Sequence, residues 1–85
     1  MRLLKFTAEA RGDLAKLDKS TARQIYKKLG RLAENFDLIA SEPLSGEWKG
    51  VYKLRVGDYR ALYTFDKTQL IVHFIRHRRE VYKVK

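Results

Sequence analysis

Basic side chains are concentrated in the second part of this sequence, at positions that could act on a phosphodiester. Residues 49–85 hold ten lysines or arginines against three acids, within a formal net charge of +9 for the 85 residues. Clustered cations repel one another unless a polyanion neutralises them, and nucleic acid is a common partner of that kind. A surface made basic for solubility is the alternative, but an even spread of charge would serve solubility better.

The side chains that could do this chemistry are Lys53, Arg55, Arg60, His77, Arg78 and Tyr82. Cations can stabilise the extra negative charge of a pentacovalent phosphorus, and a lysine can take the proton of a ribose 2′-hydroxyl. DNA lacks this internal nucleophile, so the substrate of such a reaction would be RNA. The spacing of these residues supports polyanion binding more strongly than it supports cleavage.

Several kinds of site are excluded by what the sequence lacks. It has no cysteine, which removes disulfides and thiol catalysis and fits a reducing compartment. It has no Walker loop, no Gly-x-Gly-x-x-Gly turn, no Gly-x-Ser-x-Gly elbow and no cluster at metal-ligand spacing. It also lacks the run of about 20 apolar residues that a membrane span needs. We therefore expect a cytoplasmic protein with no metal, no cofactor and no membrane partner.

Hydrophobic periodicity predicts two helices after a short first strand at residues 3–6. The first helix is predicted over residues 8–18, with Thr7 as its N-cap. The second helix begins after Asp18 or Ser20 and carries one continuous apolar stripe. The stripe consists of Ala22, Ile25, Tyr26, Leu29, Leu32, Ala33 and Phe36. A short turn at Asp18, Lys19 and Ser20 joins the two helices into an antiparallel hairpin. The apolar side of such a hairpin needs a sheet to pack against.

Three strands are predicted to follow, at residues 51–56, 59–65 and 69–75, after a loop at residues 37–50 that holds the only proline. Strands joined by short turns are antiparallel to each other. The predicted fold class is therefore α+β, with the helical hairpin packed on a curved, mainly antiparallel sheet. A chain of this length allows one core, so residues 1–85 are expected to form a single domain.

The first β-hairpin sorts its side chains into two faces. Gly57 and Asp58 are expected to form its loop, since a glycine in first position is typical of a type II′ turn. This register places the apolar residues on the face toward the helices and three cations, Lys53, Arg55 and Arg60, on the other, open face. The helix-facing set is Tyr52, Leu54, Val56, Tyr59, Ala61, Tyr63 and Phe65. The third strand is expected to add Leu70, Val72 and Phe74 to the core.

Arg55 and Arg60 lie directly opposite each other in this register, and like charges in that position are destabilising. A phosphate bound between the two guanidinium groups would reverse the sign of this interaction. Alternatively, both side chains extend into water or pair with Glu42 or Glu47 of the preceding loop.

The sequence resembles the RelE toxins of the RelE/ParE superfamily. The resemblance covers nearly the whole chain and is carried by the segments YKLR at 52–55, YRALY at 59–63 and HRREVY at 77–82. It implies a RelE-like fold with a basic groove on the open face of the sheet. It also implies the toxin half of a toxin–antitoxin pair, which enters the ribosomal A site and cuts mRNA there by 2′-hydroxyl attack. A cognate antitoxin protein would wrap the toxin in a hetero-oligomer.

The resemblance also implies roles for four catalytic residues. By position, Lys53 takes part in proton transfer, Arg60 binds the scissile phosphate, Arg78 stabilises the transition state or the leaving group, and Tyr82 positions the nucleotide. A second family lysine falls at Val51. The residues predicted to bind RNA around this site are Lys49, Arg55, Arg76, His77, Arg79 and Lys83.

Two other functions are compatible with the same resemblance. The ParE branch of the superfamily shares the fold but inhibits DNA gyrase, and a member without catalysis would bind RNA or the ribosome only. Each proposed site residue also has a structural alternative, as an exposed strand residue, an ion-pair partner or a plug at the edge of the core.

Overall fold

The computed structural model describes residues 2–36, 42–43 and 50–79. Within these ranges the elements are β1 (Leu3–Phe6), α1 (Ala8–Ala15), α2 (Lys19–Glu34), β2 (Glu42–Pro43), β3 (Tyr52–Val56), β4 (Tyr59–Phe65) and β5 (Gln69–His77). They form one sheet of order β1-β5-β4-β3-β2, in which β1 is parallel to β5 and the other pairs are antiparallel. The predicted α+β class is confirmed. Neither α1 nor α2 is long and apolar enough to cross a membrane.

Side-chain caps fix the start of both helices. Thr7 Oγ1 accepts a hydrogen bond from the Ala10 amide at 3.1 Å, as predicted. Asp18, rather than Ser20, caps α2, where its Oδ2 accepts from the Thr21 amide at 3.2 Å. The hydrogen bonds from the Thr21 side chain and amide lower the pKa of Asp18 below its ordinary 3.8. Helix α1 ends at Ala15, earlier than predicted, and its chain continues into α2 through a short turn.

The core lies between α2 and the covered face of the sheet. Ile25, Leu29 and Leu32 of α2 are fully buried, and they belong to the same cluster as Tyr63 and Val72 of the sheet. All seven residues of the predicted helix-facing set belong to this cluster or pack against it. Tyr26, another member of the α2 stripe, is not buried.

Tyr26 remains 58% exposed, although the helical stripe predicted it in the core. Its ring stacks on Phe6 of β1 at a centroid distance of 5.7 Å. Tyr26 therefore covers the margin of the core, at the side where β1 ends the sheet.

The predicted β3–β4 hairpin is confirmed residue by residue, including the Arg55–Arg60 pair. Gly57 has a φ of 58°, and no non-glycine residue in the described ranges has a positive φ. A positive φ at the first loop position and a negative one at Asp58 define a type II′ turn. This turn fixes the register that carries the cations of the open face.

Replacing Gly57 with alanine is expected to destabilise the fold by about 1–2 kcal/mol, because an L-residue is strained at this φ. Urea unfolding measures the change. Gly12 in α1 provides the matched control: a Cβ there meets no atom within 4 Å, so Gly12→Ala is expected to stabilise by up to about 1 kcal/mol. Equal effects of the two substitutions would contradict a turn that depends on glycine.

A β-bulge changes the predicted orientation of the third strand. The β4–β5 register shifts between Leu62 and Tyr63, so that Leu62 pairs with Phe74 and Tyr63 pairs with Val72. His73 is the extra residue. Because a bulge interrupts strict alternation, Phe74 lies on the open face with Leu62, and Ile75 enters the core at 4% exposure. The prediction that Phe74 faces the core was wrong for this reason.

The predicted loop at 37–50 contains a short strand. Glu42 pairs with Lys53 and Pro43 with Tyr52, which makes β2 an edge strand of two residues. Proline is tolerated there because the outer side of an edge strand needs no ladder hydrogen bond. The rest of that predicted loop, up to residue 49, lies outside the described residues.

Asp66 stabilises the β4–β5 turn with its ionised carboxylate. Its Oδ1 accepts from the amides of Thr68 at 2.8 Å and Gln69 at 2.9 Å, and these bonds lower the pKa of Asp66 below 3.8. This stabilisation is complete above pH 3.8 and is lost as the pH falls through the lower folded-state value. Between pH 5 and pH 2, we expect the Asp66→Asn variant to lose less stability than the wild-type protein. Thermal unfolding at each pH measures the difference.

Candidate nucleic-acid interface

A row of three arginines crosses the open face of the sheet. Arg55 pairs with Arg60, and Arg60 pairs with Arg76, so β3, β4 and β5 each contribute one cation. Partners in an antiparallel ladder lie only ~5 Å apart at Cα. In the next row, Lys53 pairs with Leu62. The structure therefore brings Lys53, Arg55 and Arg60 onto one face, as the hairpin register predicted.

Arg60 is held close to the turn that positions it. Its guanidinium donates to the carbonyl oxygens of Tyr59 at 3.1 Å and Gly57 at 3.3 Å. Within the described ranges it forms no ion pair with an acid. Of its predicted alternative partners, the side chain of Glu42 and the whole of Glu47 lie outside the described residues. A hydrogen bond from arginine to a carbonyl oxygen is weaker than one to an anion, so a phosphate can replace both carbonyl oxygens as the partner of Arg60.

Arg76, predicted to bind RNA, is bound by acids of α1. Its guanidinium contacts Asp13 Oδ2 and Glu9 Oε2, the latter at 3.3 Å, and it lies 5.1 Å from the Phe74 ring centroid. Asp13 Oδ2 also accepts from the Ile75 amide at 2.9 Å. Strand β1 ends before this point, so Asp13 takes the place of a neighbouring strand at the β5 edge. The pairing draws the third arginine of the row toward α1.

The residues at the end of β5 divide between the two sides of the sheet. His77 pairs with Tyr59, and its ring meets the Tyr59 ring edge-on at 5.5 Å on the side facing the helices. It is therefore separated from the Arg60 row. The Arg78 amide donates to the carbonyl oxygen of Asp58 at 2.7 Å, which holds Arg78 beside the hairpin turn. The amide of Arg79 donates to His77 Nδ1 at 3.2 Å.

Three predicted site residues, Lys49, Tyr82 and Lys83, lie outside the described residues. Among those described, no group of His, Cys, Asp or Glu side chains could hold a metal ion.

The open face also has an apolar floor, to which the β-bulge adds a residue that was predicted in the core. Leu62 is fully buried there and is packed against Val51 and Phe74. Beside this floor, Thr64 Oγ1 and His73 Nε2 lie 2.8 Å apart in a hydrogen bond. No sequence signal marked the bulge that brings Phe74 to this side. The open face therefore carries its cations beside a buried apolar cluster.

The chain belongs to the family described as the ParE toxin of type II toxin–antitoxin systems, whose sequence profile matches residues 4–82. The predicted membership in the RelE/ParE toxin superfamily is thereby confirmed. No curated protein sequence matches the chain.

Solved structures agree with this assignment. The chain is similar to a protein of the RelBE2 toxin–antitoxin complex from Mycobacterium tuberculosis, with a TM-score of 0.80, 31% identity, and coverage of 91% of this chain and 98% of that one. It is similar to a mutant of E. coli toxin RelE in the free state, with a TM-score of 0.75, 25% identity, and coverage of 96% and 90%. The YoeB dimer from Staphylococcus aureus shares the fold, with a TM-score of 0.72 at 22% identity over 89% and 95%.

Proposed function

We propose that this toxin is an endoribonuclease that cuts mRNA in the ribosomal A site and so inhibits translation. The observation that carries the proposal is the convergence of Lys53, Arg55 and Arg60 on the open face, with Arg78 tied to the same hairpin turn. Cations fixed before the substrate arrives stabilise a charged transition state without further reorganisation.

In the proposed reaction the ribose 2′-oxygen attacks the adjacent phosphorus and the 5′-oxygen of the next nucleotide leaves. The products are a 2′,3′-cyclic phosphate and a 5′-hydroxyl. Arg60 exchanges its carbonyl contacts for the phosphate oxygens, and Arg78 stabilises the charge on the leaving oxygen. Lys53, as its neutral amine, takes the proton of the 2′-hydroxyl, since Val51 stands where the family has a second lysine. Water supplies the proton that the departing 5′-oxygen takes up. Tyr82 is assigned the positioning of the nucleotide.

The proposed partners follow from the same assignment. The ribosome supplies the mRNA, held in the A site of its small subunit, which places the activity in the cytoplasm. The M. tuberculosis relative was solved as a toxin–antitoxin complex. We propose that a cognate antitoxin protein likewise binds this chain and forms a hetero-oligomer with it. An acidic antitoxin segment would neutralise the open face that the RNA would otherwise occupy.

Primer extension on mRNA after induced expression tests this function. Wild-type protein is expected to arrest growth and to produce new 5′ ends at discrete positions within translated codons. The double variant Arg60→Ala, Arg78→Ala serves as the inactive control, with its fold checked by circular dichroism. Growth arrest without new mRNA ends would contradict the proposal.

Inhibition of DNA gyrase is the second candidate function, and the match to the ParE family profile favours it. It predicts loss of supercoiling activity when purified gyrase is mixed with the toxin, a DNA-damage response in cells, and intact mRNA. Measuring supercoiling and mRNA ends on the same preparation separates the two functions.

A further inference from the structure

A cavity of about 330 Å³ opens where α1 ends, on the helix side of the first residue of β4 and the last residues of β5. Its lining residues are Asp13, Lys16, Leu17, Tyr59, Ile75, Arg76 and His77. The mechanism proposed above uses none of them. This volume is within the range of pockets that hold small organic ligands.

The walls of this α1–β5 pocket combine flat apolar surfaces with charges of both signs. Tyr59 and His77 supply aromatic rings, and Leu17 and Ile75 supply aliphatic surface. Lys16 is an exposed cation in the turn that follows α1. A nucleotide has matching parts, since its base stacks on aromatic rings and its phosphate attracts a cation.

Asp13 gives the pocket a fixed hydrogen-bond acceptor. Its contacts with Arg76 and with the Ile75 amide both use Oδ2, so Oδ1 takes no hydrogen bond from the described part of the chain. Because these two contacts hold the carboxylate rigidly, Oδ1 can accept from an exocyclic amino group of a base. Uracil has no such group, and its N3–H lies between two carbonyl oxygens that a carboxylate repels.

We propose that the α1–β5 pocket binds one nucleotide of the RNA substrate and favours a base with an exocyclic amino group over uracil. The base lies against Tyr59 and His77, its amino group donates to Asp13, and its phosphate contacts Lys16. The assignment of this nucleotide to a substrate RNA rests on the proposed function. The binding of a nucleotide in this pocket does not depend on that function.

The pocket lies within reach of the proposed cleavage site. Arg60 and Arg76 are partners on adjacent strands, so ~5 Å separates their Cα atoms. From there the Arg76 side chain extends around the β5 edge to Asp13, at the rim of the pocket. An RNA strand that follows this arginine crosses from the open face to the pocket within one or two nucleotides. The pocket would then read a base next to the cut.

Titration of the ¹⁵N-labelled toxin with CMP and with UMP tests the proposal, because the two ligands differ in the exocyclic amino group of the base. CMP is expected to shift the amide signals of Leu17, Ile75 and His77 and to bind about tenfold more tightly than UMP, as for a hydrogen bond to a charged group. Lys16→Gln is expected to weaken both ligands. Arg11→Gln, an exposed cation of α1 that does not line the pocket, is the matched control and is expected to change neither.

Equal affinities for CMP and UMP, or shifts confined to the open face, would overturn the proposal. The proposal would also be overturned if an antitoxin shifted these three amide signals and no nucleotide did. The pocket would then belong to the antitoxin interface. The titration needs no cleavage, so a toxin that leaves mRNA intact refutes the proposed function and leaves this result standing. If the toxin does cut, the mapped sites are expected to be depleted in uracil at one fixed position.

Discussion

Replacing Arg60 with alanine is expected to slow mRNA cleavage by about two to three orders of magnitude, the loss seen when a preorganised transition-state donor is removed. Arg60 is the central member of the arginine row, and its guanidinium is already held at the turn by two carbonyl oxygens. The measurement is the single-turnover rate of mRNA cleavage on programmed ribosomes. Such an assay separates chemistry from product release.

Two variants calibrate this experiment. Arg60→Lys keeps the charge but loses the two-pronged geometry, so an intermediate rate is expected. Arg55→Ala removes the exposed partner of Arg60 on β3 and is expected to weaken affinity, with a lower salt dependence, more than it slows chemistry. A folded Arg60→Ala variant that cleaves at the wild-type rate would remove Arg60 from the mechanism.

Replacing Asp13 with alanine is expected to destabilise the protein by about 3 kcal/mol, because it leaves a half-buried arginine and a strand-edge amide without an acceptor. Asp13 is 9% exposed and binds both Arg76 and the Ile75 amide. Asp13→Asn is expected to cost less, since an amide oxygen still accepts from Ile75. Urea unfolding followed by circular dichroism measures both changes.

Glu9 provides the matched control for Asp13. It pairs with the same Arg76 guanidinium, but its side chain is 55% exposed. Exposed pairs of this kind contribute between 0 and about 1 kcal/mol, so Glu9→Ala is expected to have a small effect. Comparable losses from Glu9→Ala and Asp13→Ala would show that the charge of the pair, rather than the buried bond to the strand edge, dominates.

The hairpin was the most predictable part of this molecule. Gly57 determines the turn type, the turn determines the register, and alternation then assigns Lys53, Arg55 and Arg60 to the open face. These are local rules that need only neighbouring residues. The helix caps at Thr7 and Asp18 follow from local rules as well.

The features that were missed depend on contacts distant in sequence. The bulge at His73 exchanges the sheet faces on which Phe74 and Ile75 lie, and no residue type at these positions predicts it. Arg76 lies in a basic segment, and nothing in that segment indicates that its ion-pair partners Asp13 and Glu9 come from the first helix. Composition along the chain does not reveal which acid a cation will meet in the folded state.

The parallel pairing of β1 with β5 has a consequence for how the chain acquires its structure. Leu3 pairs with Gln69 and Phe6 with Val72, so the partners lie 66 positions apart in the chain. Contacts between such distant segments make folding slower, because a large loop must close before they form. During synthesis the first strand has no partner until the last described strand has been made. The nascent toxin is therefore expected to complete its sheet only after β5 has been synthesised.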